Sequence, residues 1–185
     1  MDAARIIPTA EPFFFPGDET GCLLVHGLTG APKEMRWLGE YLASQGRSVL
    51  GVRLAGHATK PEDLPRTRWV DWLACVEDGW HMLSGCTQRI CVIGLSLGGI
   101  LSLRFAAQFP VAGVVSMSAP HHLPADPRLP YIRALSRVQP WITKGLSDWH
   151  DLEAKRVHVE YPAYSTRAMA ELCDLLEADL VSDRT

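Results

Sequence analysis

The chain has 185 residues, 47% of them hydrophobic and 21% charged, with a mean hydropathy of +0.01. That is the profile of an ordinary soluble globular protein, long enough for one domain with a real core. A formal net charge of −3, with lysine and arginine scattered rather than clustered, offers no footprint for nucleic acid or an anionic membrane.

The opening MDAARIIPTAEPFFFPG carries Asp2 and has no long apolar core before Pro8, so no secretory signal is expected there. The most apolar span, Cys91 to Leu103, is too short to cross a bilayer and runs into Arg104. Five cysteines (Cys22, Cys75, Cys86, Cys91, Cys173) lack paired metal-type spacing. Cys86 and Cys91 alone could form a clip, but free thiols in a reducing cytoplasm are the expected state. Neither a metal nor a cofactor is expected.

TGCLLVHG (Thr20 to Gly27) is a short apolar run closed by glycine, as a buried strand would be. APKEMRWLGEYLASQG then reads as a helix, with Pro32 near its start and Gly46 as its stop. RSVLGVRLAG is a second strand. In TRWVDWLACVEDGWHMLSG, residues Trp69, Trp72, Leu73, Val76, Trp80 and Leu83 share one helical face, and Thr67 is placed to cap it. RICVIGLS is a third strand, LGGILSLRFAAQF a helix ended by Pro110, and VAGVVSMSA a fourth strand. Strands alternate with helices and are apolar throughout, which predicts a parallel sheet covered on both faces: the α/β class.

From His121 to Pro162 this rhythm breaks. Prolines at 124, 127, 130 and 140 and the aromatics Tyr131, Trp141 and Trp149 predict short elements, inserted over the sheet as a cap or a packed loop. Ser165 to Leu180 returns to a helix striped by Met169, Leu172, Leu176 and Leu180.

Within VIGLSLGG, Gly94-Leu95-Ser96-Leu97-Gly98 fits G-x-S-x-G at a strand-to-helix junction. A serine on so sharp a turn needs neighbours without side chains, and glycine two before and two after supplies that room. Ser96 is the candidate nucleophile, standing at the carboxyl end of the sheet where open α/β sheets bind ligands. The backbone N–H of Leu97, at the start of the next helix, faces a developing oxyanion. A second donor is expected from His26-Gly27-Leu28-Thr29-Gly30, with the N–H of Leu28 as candidate. His26 tempts as a general base, but a histidine there more often props the loop by hydrogen bonding.

Together, LLVHGLTGAPKEMRWLGEYLASQG, RLAGHATKPEDLPRTRWVDWLACVEDGW and VIGLSLGG resemble the bacterial monoacylglycerol lipase and thermostable carboxylesterase group of α/β-hydrolases. AEPFFFPGDETG is similar to that group's opening hairpin. The resemblance is strong from about Glu11 to Pro120. It implies a core in residues 1–120, a cap in 121–164 and a helix returning to the core in 165–185. It further implies ester or lipid hydrolysis on short- to medium-chain acyl esters, with Ser96 as nucleophile and Leu28 and Leu97 as oxyanion donors. One departure is Ala58 in GHATKPEDL, where the group has glycine; a positive φ there would strain the loop.

A serine needs a base, and the base a carboxylate, in the order Ser, Asp or Glu, His. The resemblance puts both beyond Thr185, at least two strand–helix units further on, or about 60 residues. The chain therefore reads as apparently truncated. Internal candidates are His121 and His122 after the fourth strand, which read rather as polar loop residues or a pocket wall, and Asp148, Asp151 and His158, in the expected order but within the cap, where SDWHD reads as a solvated turn. Asp174, Asp179 and Asp183 read as surface or terminal charges. Without a further strand, VAGVVSMSA becomes an open apolar edge, expected to cause poor solubility, dimerisation or completion by a second chain.

Two functions follow. One is a serine ester hydrolase. The other is a non-catalytic hydrolase-like scaffold that binds an apolar ligand or a partner chain. Nucleotide binding is disfavoured, because GLSLGG has neither G-x-G-x-x-G spacing nor a P-loop lysine.

Overall fold

The computed structural model describes residues 6–122, 126–145 and 149–182. Its first part runs β1 (Phe13–Phe15), β2 (Thr20–Val25), α1 (Lys33–Ser44), β3 (Ser48–Val52), α2 (Trp69–Ser84), β4 (Arg89–Leu95), α3 (Leu97–Ala106) and β5 (Gly113–Met117). These strands form a five-stranded sheet in the order β1-β3-β2-β4-β5. Pairing is parallel from β3 through β2 and β4 to β5, and β1 lies antiparallel on β3. The fold is that of an α/β hydrolase, as expected.

The strands are apolar at successive positions because each face has its own cover. Leu23, Val25, Leu50, Val52 and Val92 point to one side, where Trp72, Val76 and Leu83 of α2 and Leu97, Leu101 and Phe105 of α3 bury them. Cys22, Leu24, Val49 and Ile93 point to the other, against Met35 of α1 and Phe13. Trp72 is fully buried, so α2 presents the face its spacing predicts, with Trp69, Leu73 and Trp80 packed on the margin.

Two expectations need correction. AEPFFFPGDETG does not fold back on β2 as a hairpin: Phe13, Phe14 and Phe15 pair with Gly51, Leu50 and Val49. Both edges of β2 are taken by β3 and β4, which leaves the outer edge of β3 for β1. Thr67 does not cap α2 either. Its hydroxyl donates to Leu64 O (2.9 Å) and accepts from the Trp72 indole (2.9 Å). The Asp71 carboxylate instead accepts from Arg68 N–H (2.8 Å), closing the first turn.

Beyond β5 come α4 (Ile132–Leu135), β6 (Trp141–Thr143), α5 (Leu152–Val157), β7 (Ala163–Ser165) and α6 (Thr166–Ser182). β6 and β7 pair antiparallel as a separate ribbon. α6 adds Ala168, Leu172 and Leu175 to the larger core, and its buried Glu171 holds Arg133 of α4 (3.3 Å). β5 is the outer strand on its side, with Val114 37% and Val115 47% exposed. No described helix is long and apolar enough to cross a membrane.

Candidate active site

β3 lies on one side of β2 and β4 on the other, so the direction of winding reverses between β2 and β4. In open α/β sheets ligands bind outside the carboxyl ends at such a switch point. Val25 and Gly94 are in register, so the loops leaving β2 and β4 emerge side by side.

Ser96 fills the junction of β4 and α3 at φ 53° and ψ −116°. Such a conformation costs a non-glycine residue on the order of 1–3 kcal/mol and persists only where its surroundings impose it. Here Ser96 N–H donates to Met117 O (2.8 Å), while Ser96 O accepts from Gly99 N–H (2.9 Å). A side chain at Gly98 would meet the Val25 carbonyl carbon at 2.6 Å and His26 O at 2.7 Å. Only glycine lets α3 approach β2 so closely, and that approach brings Ser96 to the loop after β2. Leu97 is the first residue of α3, so its N–H is among the donors a helix leaves unpaired.

His26 to Gly30 form the facing loop. Gly30 N–H donates to Gly27 O (3.2 Å), closing a turn in which Thr29 has φ 67°. The i→i+3 bond of such a turn does not use the N–H of its second residue, here Leu28. A Cβ built on Gly27 would stand 3.4 Å from Ser96 Cβ, so turn and serine are in contact.

His26 is fully buried. Its Nδ1–H donates to Gly27 O (3.0 Å) and its Nε2 accepts from Leu54 N–H (3.1 Å). Both nitrogens are occupied, and burial holds its pKa well below the ordinary value. It props the loop and is in no position to act as a base.

The other candidates lie apart. His121 and His122 are exposed and line a cavity of about 300 Å³ with Cys173, Leu176 and Glu177 of α6. Asp151 is the N-cap of α5, accepting from Glu153 and Ala154 N–H (2.9 and 3.1 Å). His158 lies tilted against Trp149, with ring centroids 4.9 Å apart, and faces Glu160 (3.9 Å). Asp174 pairs with Arg133, and Asp179 belongs to α6. Asp148 and Asp183 lie outside the described residues. Among the described residues, no hydrogen bond joins a histidine or a carboxylate to Ser96.

Ala58 does adopt a positive φ, 56°, as the departure from glycine implied. Its methyl is buried beside Ala10 and Ala31.

Sequence reasoning missed two residues around the loop. Tyr161 is buried; its N–H donates to Thr29 O (2.8 Å), and its hydroxyl donates to Gly56 O and accepts from Thr59 N–H (3.0 Å each). Nothing in its local sequence marks it. Glu34, in the first turn of α1, accepts from Gly27 N–H and lines a cavity of about 230 Å³ with Leu95, Trp37, Trp149 and His158. Burial raises its pKa to about 7, reinforced by Glu160 and opposed by Gly27 N–H and Lys144. The sequence shows it only as an acid suited to a helix start.

A strained serine at the switch point, a glycine-flanked turn against it and sheet winding in this order define a class. The chain belongs to the Alpha/beta hydrolase family, which it matches over residues 22–183. Over 121 residues it is 44% identical to a thermostable monoacylglycerol lipase of Bacillus sp. (strain H-257), covering 65% of this chain and 48% of that protein. It is 38% identical to a carboxylesterase of Bacillus subtilis (strain 168), covering 65% of this chain and 49% of that one. The chain thus spans about half the length of these relatives. One of the metagenome-derived lipolytic enzymes LipS and LipT superposes with a TM-score of 0.85 at 29% identity, over 93% of this chain and 70% of its own. A monoacylglycerol lipase of Paleococcus ferrophilus shares the fold at 20% identity, with a TM-score of 0.72 over 90% of this chain and 70% of its own.

Proposed function

We propose that the protein is a serine carboxyl-ester hydrolase of the carboxylesterase and monoacylglycerol lipase type, acting on short- to medium-chain acyl esters. The observation that carries this is Ser96 at φ 53°, held in contact with the turn that presents Leu28. Ser96 Oγ attacks the acyl carbon, and its proton passes through a base to the departing alcohol as the ester C–O bond breaks. Water then cleaves the acyl-enzyme. Leu28 and Leu97 N–H receive the oxyanion, and a single such donor is worth roughly 10²- to 10³-fold in rate. The base and its carboxylate are assigned to the part of the fold that the relatives have and this chain does not span. Residues 121–164 serve as the cap. The five cysteines, all unpaired, support a reducing compartment such as the cytoplasm.

A second reading, a non-catalytic scaffold, is favoured by one observation: no described histidine is joined to Ser96. Labelling with a fluorophosphonate and hydrolysis of p-nitrophenyl butyrate separate the two. In a form of the protein that also carries the base, the hydrolase reading expects wild type to be labelled and Ser96→Ala not. Equal labelling of both would remove Ser96 as nucleophile, and no labelling of wild type would favour the scaffold.

A further inference from the structure

Gly27 sits between two groups. A Cβ built there would stand 3.4 Å from Ser96 Cβ on one side and 3.3 Å from Glu34 Oε1 on the other. Glu34 also accepts the Gly27 N–H, seven residues back along the chain. Its carboxyl carbon lies 2.6 Å from where a side chain on Gly30 would begin, so both ends of the 27–30 turn close around this one carboxyl.

We propose that Glu34 is a positioning residue of the oxyanion loop: its carboxyl clamps Gly27 N–H and so fixes the direction of Leu28 N–H toward Ser96. This rests on the reading of Ser96 as nucleophile. The turn needs such a clamp because Thr29 is held at φ 67°, a conformation that a free threonine leaves. Tyr161 holds the Thr29 carbonyl and His26 the Gly27 carbonyl, which shares a peptide plane with Leu28 N–H, while Glu34 holds the amide on the other side of the Gly27 Cα, so that the two peptide planes flanking this glycine are fixed together.

The clamp is sensitive to protons. An ionised carboxylate is roughly twice as strong an acceptor as a neutral one, and burial places this carboxyl near pH 7. The charged groups facing it are Glu160 and Lys144, which act on it with opposite signs, and Lys33 on its own helix, while His158 across the same cavity has its pKa lowered by burial. The fully buried His26 stays neutral on the loop side. Raising the pH through neutrality therefore tightens the hold on Gly27.

The test has two readouts. In ¹⁵N–¹H correlation spectra, the Gly27 amide proton should move downfield with a midpoint near pH 7 in wild type and stay flat in Glu34→Gln. A Gly27 signal that ignores pH, or that titrates unchanged in Glu34→Gln, overturns the clamp. In phosphonylation at pH 8 of the form that also carries the base, Glu34→Ala should lower kinact about tenfold or more with little change in KI, since the loop's donor acts on the transition state. Glu34→Gln, which keeps an acceptor, should stay within about threefold of wild type. Wild-type kinact in Glu34→Ala would overturn the positioning role. Should Glu34→Ala fail to fold, the amide titration of wild type against Glu34→Gln decides. Failure of the nucleophile reading is seen separately, as labelling that survives in Ser96→Ala or is missing in wild type.

Discussion

Stability of the fold should carry a proton signature from His57. The ring is fully buried between His26 (centroids 5.0 Å) and Trp72 (5.8 Å). Nδ1–H donates to Ala55 O (3.0 Å), and Nε2 is buried without a partner among the described residues. Burial lowers its pKa from 6.5 to about 4, helped by Arg53, whose guanidinium binds His57 O (2.9 Å). The unfolded chain thus binds the proton first, and stability is lost as pH falls from the ordinary histidine range toward 4. At pH 5 the differential protonation amounts to about 2 kcal/mol, rising to about 3 kcal/mol below the folded value. His26 adds a loss of the same sign. Glu34 opposes both: its raised pKa stabilises the folded state at low pH, and that contribution disappears as pH rises through about 7. Comparison with His57→Gln cancels Glu34, while His26, whose pKa His57 helps to lower, leaves a residual of the same sign. Urea unfolding of both proteins should show the advantage of wild type over the variant shrinking by about 2 kcal/mol between pH 7.5 and pH 5. For a chain of this length that is a change of about 4–8 °C in relative Tm. A difference independent of pH would refute the neutral, buried histidine.

Two further outcomes test the fold. Ala58→Gly relieves a positive φ worth about 1–2 kcal/mol, but loses a buried methyl worth about 0.8 kcal/mol and loosens the unfolded chain by about 0.4–1 kcal/mol. The net effect should fall within about 1 kcal/mol of zero by thermal melting, whereas Ala58→Val, branched at the same φ, should destabilise by at least about 2 kcal/mol. Val115→Lys places a charge on the exposed outer strand and should shift any self-association toward the monomer in sedimentation velocity without lowering Tm. An association state that ignores the lysine would place the contact elsewhere.

The central strands and helices were legible because burial on both faces writes itself as unbroken apolar runs between glycines and prolines. The junction at Ser96 was legible for a related reason: a turn that brings backbone within contact of backbone admits only glycine at 94 and 98. What stayed hidden depends on distant partners. The hairpin implied by the resemblance of AEPFFFPGDETG does not form because β1 pairs with β3, and the vacancy on β3 arises only once β2 has acquired both neighbours. Thr67 has the chemistry of a cap, but its hydroxyl is taken by the indole of Trp72. Glu34 carries the signature of any acid at a helix start, and only the folded loop brings the Gly27 amide to it. The described parts of residues 121–164 form short elements whose partners, such as Gly56 for Tyr161, lie up to 105 residues away.

Tyr161 has a mechanical consequence. Its main chain grips Thr29 while its phenol fastens Gly56 to Thr59, so one residue rivets the stretch before β7 to two separate loops. Whatever displaces Tyr161 must tug on the 27–30 turn and on the 56–59 segment at once.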